Sequence, residues 1–474
     1  MSALHDLTAT QQRRALRRRE VSSRELTEHY LERIDRHSSA LGAFVTVRPD
    51  LALHAADTAD ALLARGEGGP LTGLPLGIKD MQPVAGMAMT AGSAALRGLV
   101  PTEESWTVRQ LRASGAVFVG KTSTAELGST CYTENYVTER PAVTPFDTAR
   151  YSSGSSGGAA TAVSAGLIPF AHGSDSAGSV RTPAATCNLV GLKPSRGLVS
   201  TAPGTAFVAA GSEGPLARTV EDAALLLDNM AAPWPGDLYG WASTQSFLEA
   251  ATRPVSPMTI AVWGESGLAG SPTNPAILEA VQNTAEALRD AGHDVRETRI
   301  PAEIDAKVTE ALRTWLTYSV AVSAELMIPP ERFELLSELT RHLIAEGRKL
   351  SGADVVIAQS TLAQYASTML AAFEHLDVAL TPVTAAPPVR LGHFLEEGVE
   401  SVLDRMLEWS CPTPWANLTG QPALSLPAGF TDGGLPVAVQ LVGRIRDDAR
   451  LLGLASQVEA AHGWAQTHPG VWHE

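Results

Sequence analysis

The chain has 474 residues, 44% hydrophobic and 18% charged, which is ample apolar material for a substantial buried core. Asp and Glu number 51 against 36 Lys and Arg, and the resulting formal charge of -15 favours solubility and argues against broad nucleic-acid binding. There is no apolar run of about 18 residues and no apolar leader stretch, and the three cysteines (Cys131, Cys187, Cys411) are widely spaced. A soluble cytoplasmic protein without membrane span, disulfide scaffold or metal framework is therefore expected.

In chain order, the cluster Arg13, Arg14, Arg17, Arg18 and Arg19 reads as the solvated face of a short helix. A capped amphipathic helix is expected over 22–37. Ser22 and Glu25 have capping-box spacing, and Leu26, Tyr30 and Ile34 recur every four residues. A strand at 43–47 and an Ala-rich helix at 51–65 follow. GLPLGIK, residues 73–79, reads as a buried strand ending on charged Lys79. A helix at 105–114 precedes a buried strand at 116–119, closed by Gly120. After a Ser/Gly/Ala-rich stretch come a helix at 220–230, a Pro/Trp/Gly turn near 233–236, a strand at 259–263 and a helix at 274–291. Residues 304–371 read as mainly helical, with strands at 378–380, 423–426 and 437–441 and a closing helix at 448–461. Alternating helices and short apolar strands define an α/β protein.

The stretch 151–195, YSSGSSGGAATAVSAGLIPFAHGSDSAGSVRTPAATCNLVGLKPS, carries the chemistry. As a flexible linker it is disfavoured, because helix-forming residues 159–165 follow the first glycine cluster directly. As a phosphate-binding loop it lacks the Gly-Lys-Ser/Thr that would complete the motif. Two nucleophile readings remain. Residues 154–158 fit G-x-S-x-G around Ser156, the nucleophile elbow of an esterase-like α/β-hydrolase. That reading needs a later acid and histidine, and His393, His462, His468 and His473 occupy no obvious strand-end loop. The other reading takes Ser179 in GSDSAGS, where small residues Ser176, Ala177 and Gly178 allow consecutive N–H groups to converge on an oxyanion. His172 follows an apolar stretch and reads as a packing residue, so the base for Ser179 stays open at this level.

The segment 153–194 resembles the amidase signature family nearly throughout, in GSSGGAA, GSDSAGSVRTPA and VGLKPSRG. The resemblance extends to GLPLGIKD, GKTSTAELG, EGPLARTVEDAALLLD, DVALTPV, NLTGQPALSLPAGF and GLPVAVQLVGR. It is weakest over about 233–375. It implies one amidase signature domain over 1–474: a large mixed, twisted sheet with helices on both faces. Residues 60–230 would form the catalytic core, 233–375 a divergent, mainly helical substrate side, and 376–474 a return to the core sheet.

The resemblance further implies Lys79 as base, Ser155 as relay following a cis Gly154–Ser155 peptide, and Ser179 as nucleophile. The amides of Ser176, Ala177 and Gly178 would form the oxyanion hole, with the Ser179 amide as a further candidate donor, and Gly154, Ser156, Asp175 and Arg181 would support the loop. A lysine serves as base only when neutral, and burial can depress its pKa, although Asp80 would oppose that if it faced the same way. The implied activity is hydrolysis of a small, aromatic or cyclic carboxylic amide through an acyl-enzyme, without cofactor or metal, by a monomer or homodimer. A glutaminase subunit of a tRNA-dependent amidotransferase is the alternative within the family. Cys131, Trp315, Tyr318 and Trp409 are candidate pocket residues, with core packing as the competing role, and Cys187 reads as core. Ser153, Ala177 and Ser123 depart from the family pattern, the first two at glycine positions and the third where asparagine is common. Alanine tolerates positive φ poorly, which singles out Ala177 for inspection.

Overall fold

The computed structural model describes residues 3–202 and 210–474. Among them, thirteen strands are formed: β1 (Phe44–Val47), β2 (Pro75–Lys79), β3 (Val117–Thr122), β4 (Val143–Thr144), β5 (Asp147–Tyr151), β6 (Phe170–Asp175), β7 (Val190–Lys193), β8 (Ser212–Ala217), β9 (Thr259–Val262), β10 (Asp294–Glu297), β11 (Val378–Pro382), β12 (Ala423–Phe430) and β13 (Pro436–Gly443). Eleven build a single mixed sheet in the order β1-β3-β2-β6-β8-β7-β12-β13-β11-β9-β10, and β4 and β5 pair separately. The expected α/β architecture is therefore present, with strands from the first, middle and last parts of the chain in one sheet.

Side-chain alternation along each strand divides the core. On β2, Leu76 and Ile78 enter the largest apolar cluster; on β3, Phe118 enters that cluster while Val117 and Val119 enter another. The helix Gly157–Ser164 packs with the second cluster through Ala159, Ala160, Ala162 and Val163. Because Ile78 faces the first cluster, its neighbour Lys79 is turned toward the face that carries this helix.

The helix Ser23–Leu41 has the expected capping box, with Ser22 accepting from the Glu25 amide, but it runs on to Gly42 in the left-handed region. The helices Pro49–Ala64 and Trp106–Ala113 occupy the expected segments. Gly120 does not close its strand. β3 continues to Thr122, and a Cβ at Gly120 would lie 2.2 Å from the Thr46 carbonyl of β1. The glycine is there to let a neighbouring backbone approach, and a sequence pattern cannot separate that role from a turn. β10, whose burial is slight, and the short β4–β5 pair lack the apolar pattern by which strands are read.

Candidate active site

Lys79 is the last residue of β2, and its side chain is 0% exposed. Its Nζ donates to Ser155 Oγ at 2.7 Å, to Ser174 Oγ at 2.9 Å and to the Ser174 carbonyl at 3.3 Å. Burial lowers its pKa to about 7 against the opposing attraction of Asp175 and Glu213. Asp80 is not among those opposing charges. It binds Lys121 Nζ at 2.9 Å and accepts the Thr90 amide, so the neighbour in sequence is neutralised elsewhere.

Ser155 follows a cis peptide from Gly154, as expected, and the Gly154 carbonyl accepts from Thr182 Oγ1. Ser156 is fully buried at the N-terminus of the helix Gly157–Ser164. Its hydroxyl donates to the Ser174 carbonyl and accepts the Ser174 amide, while its own amide donates to the Ser179 carbonyl. The Ser156 hydroxyl is thus a clasp between two segments. Among the described residues no histidine is hydrogen-bonded to it, and His172 instead meets Glu213 at 2.9 Å. The elbow reading of Ser156 loses its base. His172 is buried as expected, but in a polar contact rather than in purely apolar packing.

The loop from Ser176 to Ser179 leaves the end of β6 and is shaped by the Asp175 carboxylate. Asp175 Oδ1 accepts the Gly178 amide at 2.7 Å, and Oδ2 accepts the Val180 amide at 3.1 Å. Arg181, itself fully buried, donates Nε and Nη2 to the same carboxylate at 3.0 and 2.9 Å. This pairing holds the Asp175 carboxyl below its usual range despite burial that pushes the other way. The positive φ in the loop falls on Gly178, at 131°, and Ala177 is not in the left-handed region. Alanine at 177 therefore meets no backbone conflict. The left-handed strain falls on Ser153 instead, with φ 63°, where its hydroxyl donates to Cys131 O at 2.9 Å and meets Thr182 Oγ1 at 3.0 Å. Ser123, the third departure, receives the Asn135 amide group at 3.0 Å.

The Gly178 amide is committed to Asp175 and cannot also face an oxyanion, which corrects the expected donor set. Among the described residues, the Ser176, Ala177 and Ser179 amides make no hydrogen bond to protein. Two residues that sequence reasoning missed complete the frame. Thr413 Oγ1 donates to the Ala177 carbonyl at 2.7 Å, and Asn417 Nδ2 donates to both the carbonyl and the carboxylate of Asp175. Asn417 opens the NLTGQPALSLP block, which was the one available hint.

Two cavities meet at this loop. A small one is lined by Ser179, Gly178, Ala177, Cys131, Leu312 and Met406, among others. A wider one of about 400 Å³ is lined by Ser174, Ser176, Gln82, Glu213 and Ser319, among others. Trp315 lines both, and its indole N–H has no protein partner among the described residues. Of the other candidate pocket residues, Cys131 lines the small cavity, and burial pushes its thiol pKa well above the ordinary range. Trp409 sits apart from both cavities, packed edge-on to Phe394 and bonded to the Pro387 carbonyl. Tyr318 is half-buried on the helix Ala306–Met327 and lines neither cavity. At about 100° per residue, the lining positions 315, 316, 319 and 323 share one arc of this helix, and 318 falls outside it. Cys187 is fully buried in the core.

With this geometry in view, comparison with known proteins is decisive for family. A family model described as Amidase matches residues 25–452. AmiB2 of Mycobacterium tuberculosis is 37% identical over 454 residues, covering 94% of each chain. A glutamyl-tRNA(Gln) amidotransferase chain of Thioalkalivibrio sulfidiphilus is 34% identical, covering 98% of this chain and 99% of the other. Among solved structures, 6-aminohexanoate cyclic dimer hydrolase complexed with substrate superposes with TM-score 0.91 at 27% identity, covering 99% of this chain and 100% of that one. A bacterial aryl acylamidase of the amidase signature family superposes with TM-score 0.90 at 26% identity, covering 98% of both. The chain belongs to the amidase signature family, and it is an enzyme that hydrolyses carbon–nitrogen bonds of amides. No helix among the described residues is long and apolar enough to cross a membrane.

Proposed function

We propose that the protein hydrolyses a small, aromatic or cyclic carboxylic amide through an acyl-enzyme, with Ser179 as nucleophile, Ser155 as relay and Lys79 as base. The observation that carries this reading is the buried Lys79–Ser155 hydrogen bond, with a lysine pKa near neutrality. A serine hydroxyl needs a base, and a lysine can be one only when it is unprotonated. In this scheme Ser179 Oγ attacks the amide carbonyl. Its proton passes to Ser155 Oγ, and the Ser155 proton passes to Lys79 Nζ. The amides of Ser176, Ala177 and Ser179 receive the oxyanion, with Gly178 reserved for Asp175. Reversal of the relay protonates the leaving amine, and water then clears the acyl group. Trp315 would stand between the acyl and amine sides of the bound amide.

The test is fluorophosphonate labelling combined with turnover of an amide panel. Ser179→Ala is expected to lose labelling and at least about a thousandfold in kcat. Persistence of both in that variant would overturn the mechanism. Retention of turnover in Ser156→Ala is the matching expectation against the elbow reading.

A further inference from the structure

Among the described residues that line the wider cavity, Glu213 is the one with a formal charge. It lies directly opposite Ser174 in the antiparallel pairing of β8 with β6, so both side chains leave the sheet on one face. Ser174 holds Lys79 through its carbonyl and its hydroxyl, which puts the Glu213 carboxylate beside the base. Glu213 is 2% exposed and accepts Gln82 Nε2 at 2.8 Å, with His172 Nε2 at 2.9 Å. His172 Nδ1 has no partner among the described residues, so a proton there would be a buried donor without an acceptor. Nε2–H donation to Glu213 fits this geometry. Glu213 thus has two donors, the Gln82 side-chain amide and His172 Nε2, and, among the described residues, no ion pair with lysine or arginine.

A buried carboxylate without a lysine or arginine partner is costly, and a cation entering from the cavity relieves that cost. The two cavities also differ in which part of the reaction they adjoin. Ser179 lines the small cavity with Leu312, Met406 and Leu407, which suits an apolar acyl group. The leaving nitrogen must collect its proton from the Ser155–Lys79 pair, and Ser174, which holds Lys79, lines the wider cavity. We propose that the wider cavity receives the leaving amine, and that Glu213 there binds a second, protonated amine carried by it. The substrates are then aminoalkyl amides, that is, monoacylated diamines. Hydrolysis breaks the C–N bond; water supplies hydroxyl to the acyl carbon and a proton to the released nitrogen, and the second amine stays protonated throughout. The bound ammonium also offsets the Glu213 charge that favours protonated Lys79. This inference rests on the amide-hydrolysis reading above.

Two measurements test it. The first compares kcat/KM for an N-aminoalkyl amide and an N-alkyl amide of equal length, in wild type and in Glu213→Gln. The wild type is expected to prefer the cationic amide by on the order of tenfold or more, and the variant to lose that preference. Equal use of both by the wild type, or an unchanged preference in the variant, overturns the proposal. A merely structural Glu213 would depress both substrates together. The second measures calorimetric binding of putrescine and the uncharged butane-1,4-diol to Ser179→Ala protein, which requires neither turnover nor the Glu213 variant. Tighter binding of the diamine is expected, and equal affinities overturn the proposal. Diamine binding without hydrolysis of any amide by the wild type would instead sink the amidase mechanism and leave the Glu213 site standing.

Discussion

The Gly178 amide donates to Asp175 Oδ1 across 2.7 Å, so the residue immediately before the proposed nucleophile is tied to a buried carboxylate. The same carboxylate pairs with Arg181, and Asn417 bonds it from a strand-distant segment. Removing its charge leaves Arg181 buried without a counter-ion. Asp175→Ala is expected to destabilise the fold by about 3–5 kcal/mol, read as a fall in the chemical-denaturation midpoint. An unchanged midpoint would show that the pair does not frame the loop.

Gly178 and Ala177 should respond in opposite ways to exchange. A Cβ at Gly178 would lie 2.2 Å from Thr413 Oγ1 and would have to adopt φ 131°. Gly178→Ala is expected to cut kcat/KM by roughly a hundredfold, since it moves the amides on either side. Ala177→Gly removes no constraint, and activity within a few-fold of wild type is expected. A large gain in that variant would mean that alanine does strain the loop.

Activity and stability should both follow the Lys79 titration, with opposite origins. The proposed mechanism needs Lys79 unprotonated, so kcat/KM should rise with pH through about 7 and then level off. Between about 7 and the ordinary lysine pKa of 10.5 the unfolded chain binds the proton that the folded chain does not. Stability from this residue therefore increases with pH across that window, and its cost is greatest below it. Lys79→Met should be inactive yet more stable than wild type near pH 6, by on the order of a few kcal/mol. That advantage should shrink toward pH 10. A stability difference independent of pH would contradict the depressed pKa.

Ser153 occupies a left-handed position at a cost of about 1–2 kcal/mol, offset by its two side-chain hydrogen bonds. Ser153→Gly relieves the strain and loses the bonds, so stability within about 1 kcal/mol of wild type is expected. Ser153→Val keeps the strain and loses the bonds. It should unfold at a clearly lower temperature in calorimetry.

Trp315 lines both cavities, and its buried indole N–H has no protein partner among the described residues. Trp315→Phe keeps most of the ring and removes the donor. A rise of KM of about three- to tenfold, with little change in kcat, is expected if the substrate accepts that bond. A fall in kcat alone would assign Trp315 to packing.

Sequence by itself determined the α/β architecture, the main helices and core strands, and the candidate residues of the site. Lys79, Ser155, Asp175, Ser179 and Arg181 sit in short blocks whose order along the chain marks the family, and local spacing carries that information. Tertiary structure decided which neighbours each of these groups keeps. Asp80, adjacent in sequence to Lys79, is neutralised by Lys121, whereas Glu213, distant in sequence, lies across the sheet from the lysine's own partner. Gly120 is a contact glycine because β1 crosses it, and Gly178 rather than Ala177 bears the unusual backbone angle. Such facts depend on strand pairing between segments far apart in the chain. Electrostatics and steric fit act through space over a few ångströms, and sequence separation does not measure that distance.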